Sequence, residues 1–71
     1  MISRLLIHAW IIEKKYIEYY LPHTHWIYLK EIIKYYDEVI LLSPCKYLSV
    51  DDVPTGKSIL QMKNVHVYEL P

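Results

Sequence analysis

The sequence predicts a small α/β unit with the element order β-α-β-β and a mainly parallel sheet. Three observations favour this class. An apolar run opens the chain, a helical stripe follows it, and two further apolar segments come after the stripe. A strand, a helix and a second apolar strand in that order form a right-handed parallel crossover.

The first strand is expected over residues 2–12, a mainly apolar run with β-branched and aromatic members. A strand that is buried on both faces has this composition, which is typical of parallel sheets. Residues 16–21 form either a short extended arm or the return arm of a hairpin through Lys14 and Lys15. Pro22 then stops regular pairing.

The helix is expected over residues 24–36, with Thr24 as its N-cap. Apolar side chains recur there at steps of three and four residues and predict one face packed against the sheet. The residues of this stripe are Trp26, Leu29, Ile32, Ile33 and Tyr36.

Two more strands follow the helix. The second strand is predicted over residues 39–42 and ends at Ser43-Pro44, and the third covers residues 65–70 and lies nearer an edge because its residues alternate in polarity. Residues 45–63 between them form an irregular loop. The 71 residues are too few for more than one domain, so residues 1–71 are interpreted as a single partial unit.

Composition excludes several function classes. Apolar residues make up 54% of the chain, which argues against disorder, and a formal net charge of zero argues against nucleic acid as a partner. The longest apolar run is shorter than the roughly 20 residues of a membrane span and has no signal-peptide cleavage site. A lone cysteine, Cys45, fits a reducing compartment, so we expect a cytoplasmic protein.

The segment Thr55-Gly56-Lys57-Ser58 has the end of a phosphate-binding loop but not its beginning. Such a loop needs a glycine five residues before its Gly-Lys pair, and this chain has Asp51 there. We therefore interpret the segment as a turn and expect no nucleotide cofactor.

Candidate binding residues are His23, Thr24 and His25, just ahead of the predicted helix. In an open α/β sheet, ligands bind at the carboxyl edge, where these side chains are expected to lie. Their imidazoles and hydroxyl can hydrogen-bond a sugar hydroxyl or a phosphate, or they can serve only as a cap and surface histidines. Two histidines without a third ligand predict no metal site, and no catalytic set is recognisable.

The layout resembles the opening of the family 4 type glycosyltransferases, which have two Rossmann-like domains. The resemblance rests on the first strand LLIHAWII, the helix HTHWIYLKEIIKYY, the strand EVILLSP and the strand NVHVYELP. It implies a Rossmann-like half-domain from the acceptor side of such an enzyme. The glycines usual in the first strand-to-helix loop are replaced by Pro22-His23-Thr24-His25, and no donor-binding domain follows.

This resemblance implies a fragment of a sugar transferase from polysaccharide or glycan biosynthesis, inactive alone, with His23, Thr24 and His25 nearest a sugar acceptor. Its partner is then a missing C-terminal domain. The alternative is a small homo-oligomeric interaction module without catalytic activity. The second interpretation rests on a sheet with too few strands to cover its edges and on zero net charge, both of which favour self-association.

Overall fold

The computed structural model describes residues 2–71 and contains six strands and one α-helix, with 44% of the chain in strands. The elements in order are β1 Arg4–His8, β2 Ile12–Lys15, β3 Glu18–Leu21, α1 His23–Ile32, a 3-10 turn Ile33–Tyr35, β4 Glu38–Tyr47, β5 Lys57–Ser58 and β6 Val65–Leu70. The molecule measures 43 × 24 × 18 Å along its principal axes.

The long strand β4 is the centre of the sheet. It pairs in parallel with β1 and β6 along its first half, where Leu41 lies between Ile7 and Val67. Its last residues pair in parallel with β2. The other two pairings, β2 with β3 and β3 with β5, are antiparallel. The sheet is therefore mixed.

The predicted fold class is wrong on this point: the chain is a mostly β unit with a mixed sheet and one short helix, and it is not a mainly parallel, Rossmann-like α/β half-domain. The cause lies at Lys14 and Lys15. These residues belong to β2, and the chain reverses through Tyr16 and Ile17 into β3, so the helix follows the return arm of a hairpin. Tyr16 adopts the left-handed φ of 57° that a tight reversal requires.

The single predicted strand over residues 2–12 is divided into β1 and β2 by a bulge. His8 lies opposite Leu42 and Ile12 lies opposite Cys45, so this side has one residue more than β4 over the same length. The buried hydroxyl of Ser43 donates a hydrogen bond to the carbonyl of Trp10 within the bulge. The bulge therefore has a polar partner on the central strand.

The predicted strand end at Ser43-Pro44 is also wrong, because β4 continues to Tyr47. Proline is tolerated in a sheet beside a bulge, where the regular ladder is already interrupted. Pro44 lies opposite the bulge between β1 and β2, so its missing N–H removes no regular bond there. The first residues of the predicted loop 45–63 therefore belong to β4, and the loop also contains β5. The third predicted strand, residues 65–70, coincides with β6.

The helix is shorter than predicted and begins one residue earlier. Pro22 is the N-cap, and its carbonyl accepts the first helical hydrogen bond from the N–H of Trp26 at 2.9 Å, so Thr24 is not the cap. After Ile32 the chain tightens into the 3-10 turn. The predicted stripe is confirmed: Leu29 is buried, and Trp26, Ile32, Ile33 and Tyr36 pack against the core.

The core lies between α1 and one face of the sheet. Val39 and Leu41 of β4 are fully or almost fully buried, together with residues of neighbouring elements. The remaining buried apolar residues are Ile12, Leu21, Leu29, Ile59 and Met62. Since side chains alternate between faces, the intervening residues of β1, β4 and β6 point to the opposite face, where no helix packs.

Truncation of Leu29 tests this packing. Leu29 is 2% exposed, so Leu29→Ala should lower the free energy of unfolding by about 2–5 kcal/mol. Ile27, on the same helix, is 47% exposed, and Ile27→Ala is the matched control, with an expected change within about 1 kcal/mol. Urea denaturation of the three proteins measures the difference. Equal losses in the two variants would show that the wrong helix face has been assigned to the core.

Candidate functional site

The structure brings only one of the three predicted binding residues to a cavity. His23 and Thr24 are exposed in the first turn of α1, whereas His25 is half-buried and lines a cavity of about 190 Å³ between α1 and the end of β1. His8, Ala9 and Trp10 form the strand side of this cavity. That the three residues together bind a sugar acceptor stays a prediction.

The chemistry of this cavity is mainly apolar. Its deeper wall consists of Ile7, Leu21, Leu29 and Leu41, and its hydrogen-bonding side chains come from Trp10, His25 and Tyr28. A sugar carries a hydroxyl on nearly every carbon, and each hydroxyl that loses water needs a partner. The lining therefore fits an apolar molecule with one polar end better than it fits a sugar.

The turn Thr55-Gly56 binds a carboxylate of the protein itself. The N–H and hydroxyl of Thr55 donate to Oε1 of Glu13 at 2.8 and 2.9 Å, and the N–H of Gly56 donates to the same oxygen at 3.3 Å. Burial works against the charge, but these hydrogen bonds hold the pKa of Glu13 below its usual value. The donors that a phosphate would need are occupied.

Close packing against β3 explains why residue 56 is a glycine. A Cβ on residue 56 would lie 2.2 Å from the carbonyl oxygen of Leu21, so only glycine lets the loop approach β3 this closely. The ammonium of Lys57 lies 4.1 Å from the ring centroid of Trp26. The segment thus fastens the loop to the hairpin and to the helix.

A polar cluster occupies the helix-side face at the carboxyl ends of the parallel strands. Its centre is the carboxylate of Glu69, on β6. The ammonium of Lys14 donates to Glu69 at 3.0 Å and the hydroxyl of Tyr19 donates to it at 2.7 Å, while Tyr47 donates to its other oxygen. Lys14 lies opposite both tyrosines in the ladder, so the register alone aligns the three donors in a row across the sheet.

The charges of this cluster stabilise one another. Hydrogen bonds from Tyr47, Tyr19 and Lys14 hold the pKa of Glu69 at about 2. The bond to Glu69 is also the largest cause that raises the pKa values of Lys14, Tyr19 and Tyr47. A general base needs a pKa near the working pH, and this carboxylate is far from it. The cluster is therefore built to hold four strands together.

Cys45 lies beside this cluster, and its environment suppresses reactivity. Burial and the charge of Glu69 both raise the pKa of the Cys45 thiol. A thiol is nucleophilic only as the thiolate. The lone cysteine is consequently a poor nucleophile at neutral pH.

The face of the sheet away from α1 has a large uncovered apolar surface, here called the open face. It consists of the outward residues of β1, β4 and β6, namely Leu6, His8, Ile40, Leu42, Pro44, His66, Tyr68 and Leu70. Leu6 is 62% exposed and Tyr68 is 63% exposed, and none of the eight residues packs against the core. At the end of β1 the surface continues to Trp10 and Ile11, which line a groove with His8 and Pro44.

Comparison of the chain with protein-family models, with curated proteins and with solved structures gave no match. Within residues 2–71, no three histidine, cysteine or acidic side chains are grouped closely enough to hold a metal ion. No helix in that range has both the length and the apolar character needed to cross a membrane.

Sequence reasoning missed the Glu69 cluster, whereas it already favoured self-association through an uncovered part of the sheet. The sequence did contain a signal for the Glu69 cluster. Glu69 is two residues from Val67 and four from Val65, so in a strand it lies on the same apolar face as these two valines. A carboxylate in such a position requires partners. Its partners are far away in sequence and depend on the hairpin, which the sequence left open.

The Glu69 cluster predicts a specific pH dependence of stability. The folded-state pKa of Glu69 is about 2, below the ordinary value of 4.5, so its contribution is fully present above pH 4.5 and is lost as the pH falls through about 2. Glu69→Gln should therefore be destabilised relative to the wild type at pH 6, and the gap in free energy of unfolding should narrow towards pH 2. Urea denaturation at several pH values measures the gap.

Glu31→Gln is the matched control for this experiment. The pKa of Glu31 is lowered chiefly by one exposed partner, Lys34, so the control should show the same direction of change with a smaller amplitude. A gap between Glu69→Gln and the wild type that stays constant from pH 6 to pH 2 would contradict the assigned role of the carboxylate.

Proposed function

We propose that the chain is a small homo-oligomeric interaction module without catalytic activity, and that it pairs with a second copy through the open face. The observation that carries this proposal is the open face itself. Contiguous apolar surface of this kind on a soluble unit marks an interaction site. One helix of ten residues covers the other face only.

A second copy fits this face by charge. Arg4 and Glu38 at one end of the face form an ion pair of 2.8 Å, Lys46 lies at the other end of β4, and the outward residues between them are apolar, aromatic or histidine. The whole chain has a formal net charge of zero, so two copies have little long-range repulsion. Two such sheets can pack face to face at about 10 Å with their apolar side chains interdigitated.

The available area also fits. An aromatic side chain can bury about 150–250 Å², so Trp10 and Tyr68 together supply on the order of half of the roughly 800 Å² that each partner buries in a stable interface. The exposed side chains of Leu6 and Ile11 and the half-buried residues of β4 add to this area. A two-fold axis through the face would match each apolar row with its own copy.

The glycosyltransferase interpretation has less support. It depends on a mainly parallel half-domain, which the mixed sheet replaces, and on a shared position for His23, Thr24 and His25, which face different surroundings. No contact or cavity of the described residues favours a sugar acceptor as a second candidate function.

Light scattering after size-exclusion chromatography tests the proposal. The wild type should have twice the chain mass of 8.6 kDa at micromolar concentration, with a decrease on dilution. Leu6→Glu places a charge in the β1 row of the open face at a residue that is 62% exposed, so the variant should be a folded monomer. Val53→Glu is the matched control, because Val53 is 81% exposed in the loop before β5 and should leave the dimer intact.

A wild-type protein that stays monomeric and folded at high concentration would contradict the proposal. So would a dimer that persists in Leu6→Glu, because the interface would then lie elsewhere on the molecule.

A further inference from the structure

We propose that the cavity between β1 and α1 is a binding site for a small aromatic carboxylate. The apolar floor of this cavity lies on the helix side of the sheet, whereas His8 and Trp10 at its rim also border the open face.

The size of the cavity sets the class of ligand. Its volume is about 190 Å³. An engineered apolar cavity of about 150 Å³ in another protein stays dry and binds benzene, so this space accepts one aromatic ring or a compact bicyclic ring. The buried side chains of Leu21, Leu29 and Leu41, each at most 3% exposed, give the ring an apolar floor.

The side chains at the mouth of the cavity indicate which polar group the ligand carries. His25 and Tyr28 lie one helical turn apart on α1, and Trp10 lies across from them in the bulge after β1. The imidazole and indole N–H groups and the phenol O–H are all donors, and no acidic side chain lines the cavity. Several donors without a carboxylate favour a ligand with an acidic oxygen group.

The aromatic side chains strengthen the preference for a ring. Trp10 is 76% exposed and Tyr28 is 62% exposed, although both border an apolar space. Aromatic rings gain from offset or edge contacts with one another beyond the area that they bury. A flat ligand ring between these two residues would cover apolar surface that is otherwise in contact with water.

An NMR titration tests the site with indole-3-acetate as the probe. The protein is the full chain carrying Leu6→Glu, which keeps any pairing through the open face from affecting the result. The amides of residues 7–10 and 25–29 should shift in a saturable manner at millimolar probe. Methyl glucoside at the same concentration should cause no saturable shift, and indole without the carboxylate should bind more weakly.

Two variants and one control locate the binding. Ala9→Leu fills the cavity and should abolish saturation, while His25→Ala removes a donor to a charged group and should weaken binding about tenfold or more. His66→Ala changes an exposed histidine of the open face and should leave the affinity unchanged. Amide dispersion confirms that each variant is folded.

The absence of saturable shifts in the parent protein would overturn the proposal. Binding in Ala9→Leu and His25→Ala that equals the binding of the parent protein would also overturn it, because the probe would then be on another surface. Stronger binding of methyl glucoside than of indole-3-acetate would instead assign the cavity to a sugar.

Discussion

The rest of the structure depends on the pairing of β4 with three other strands. β1 and β2 both pair with one edge of β4, and β6 pairs with the other edge. The bulge between β1 and β2 allows both of them to pair with the same edge of β4. Ser43 is the polar centre of this arrangement, since its hydroxyl is fully buried against the bulge carbonyl of Trp10. Both the apolar core and the Glu69 cluster then follow from the same strand, because its inward residues run from Val39 to Tyr47.

A sheet built around one long strand with one short helix has an unavoidable asymmetry. The helix buries one face, and the Glu69 cluster and the Glu13 contacts secure the part of the sheet that the helix does not reach. The opposite face keeps its apolar rows in contact with water. Most of the polar chemistry in the described residues is therefore internal and satisfied, and the surfaces that remain for function are the open face and the cavity beside β1.

Features that depend on neighbouring residues could be predicted from the sequence, whereas pairings between distant segments could not. The spacing of Trp26, Leu29, Ile32 and Ile33 located the packed side of the helix, and the alternation in residues 65–70 located β6. Lys14 and Lys15 lie within β2 although charged residues are less common in strands, because Glu69 and the loop backbone give both lysines partners that only the fold brings near. Ser43-Pro44 predicted the end of the second strand, but β4 continues through it. The bulge that makes the proline tolerable lies on another strand, so the local sequence could not indicate it. Of the predicted site, only His25 reached a cavity, because the helix begins after the hairpin and not after a parallel strand.

Residue-specific amide hydrogen exchange tests the central role of β4 most directly. The amides of residues 39–43, which lie between β1 and β6, should exchange only through global unfolding and should be the most protected in the chain. Those of β5, which pairs with β3 over two residues, should exchange much faster. If residues 39–43 exchange as fast as β5, or if the β2–β3 hairpin is the most protected segment, the sheet is not organised around β4.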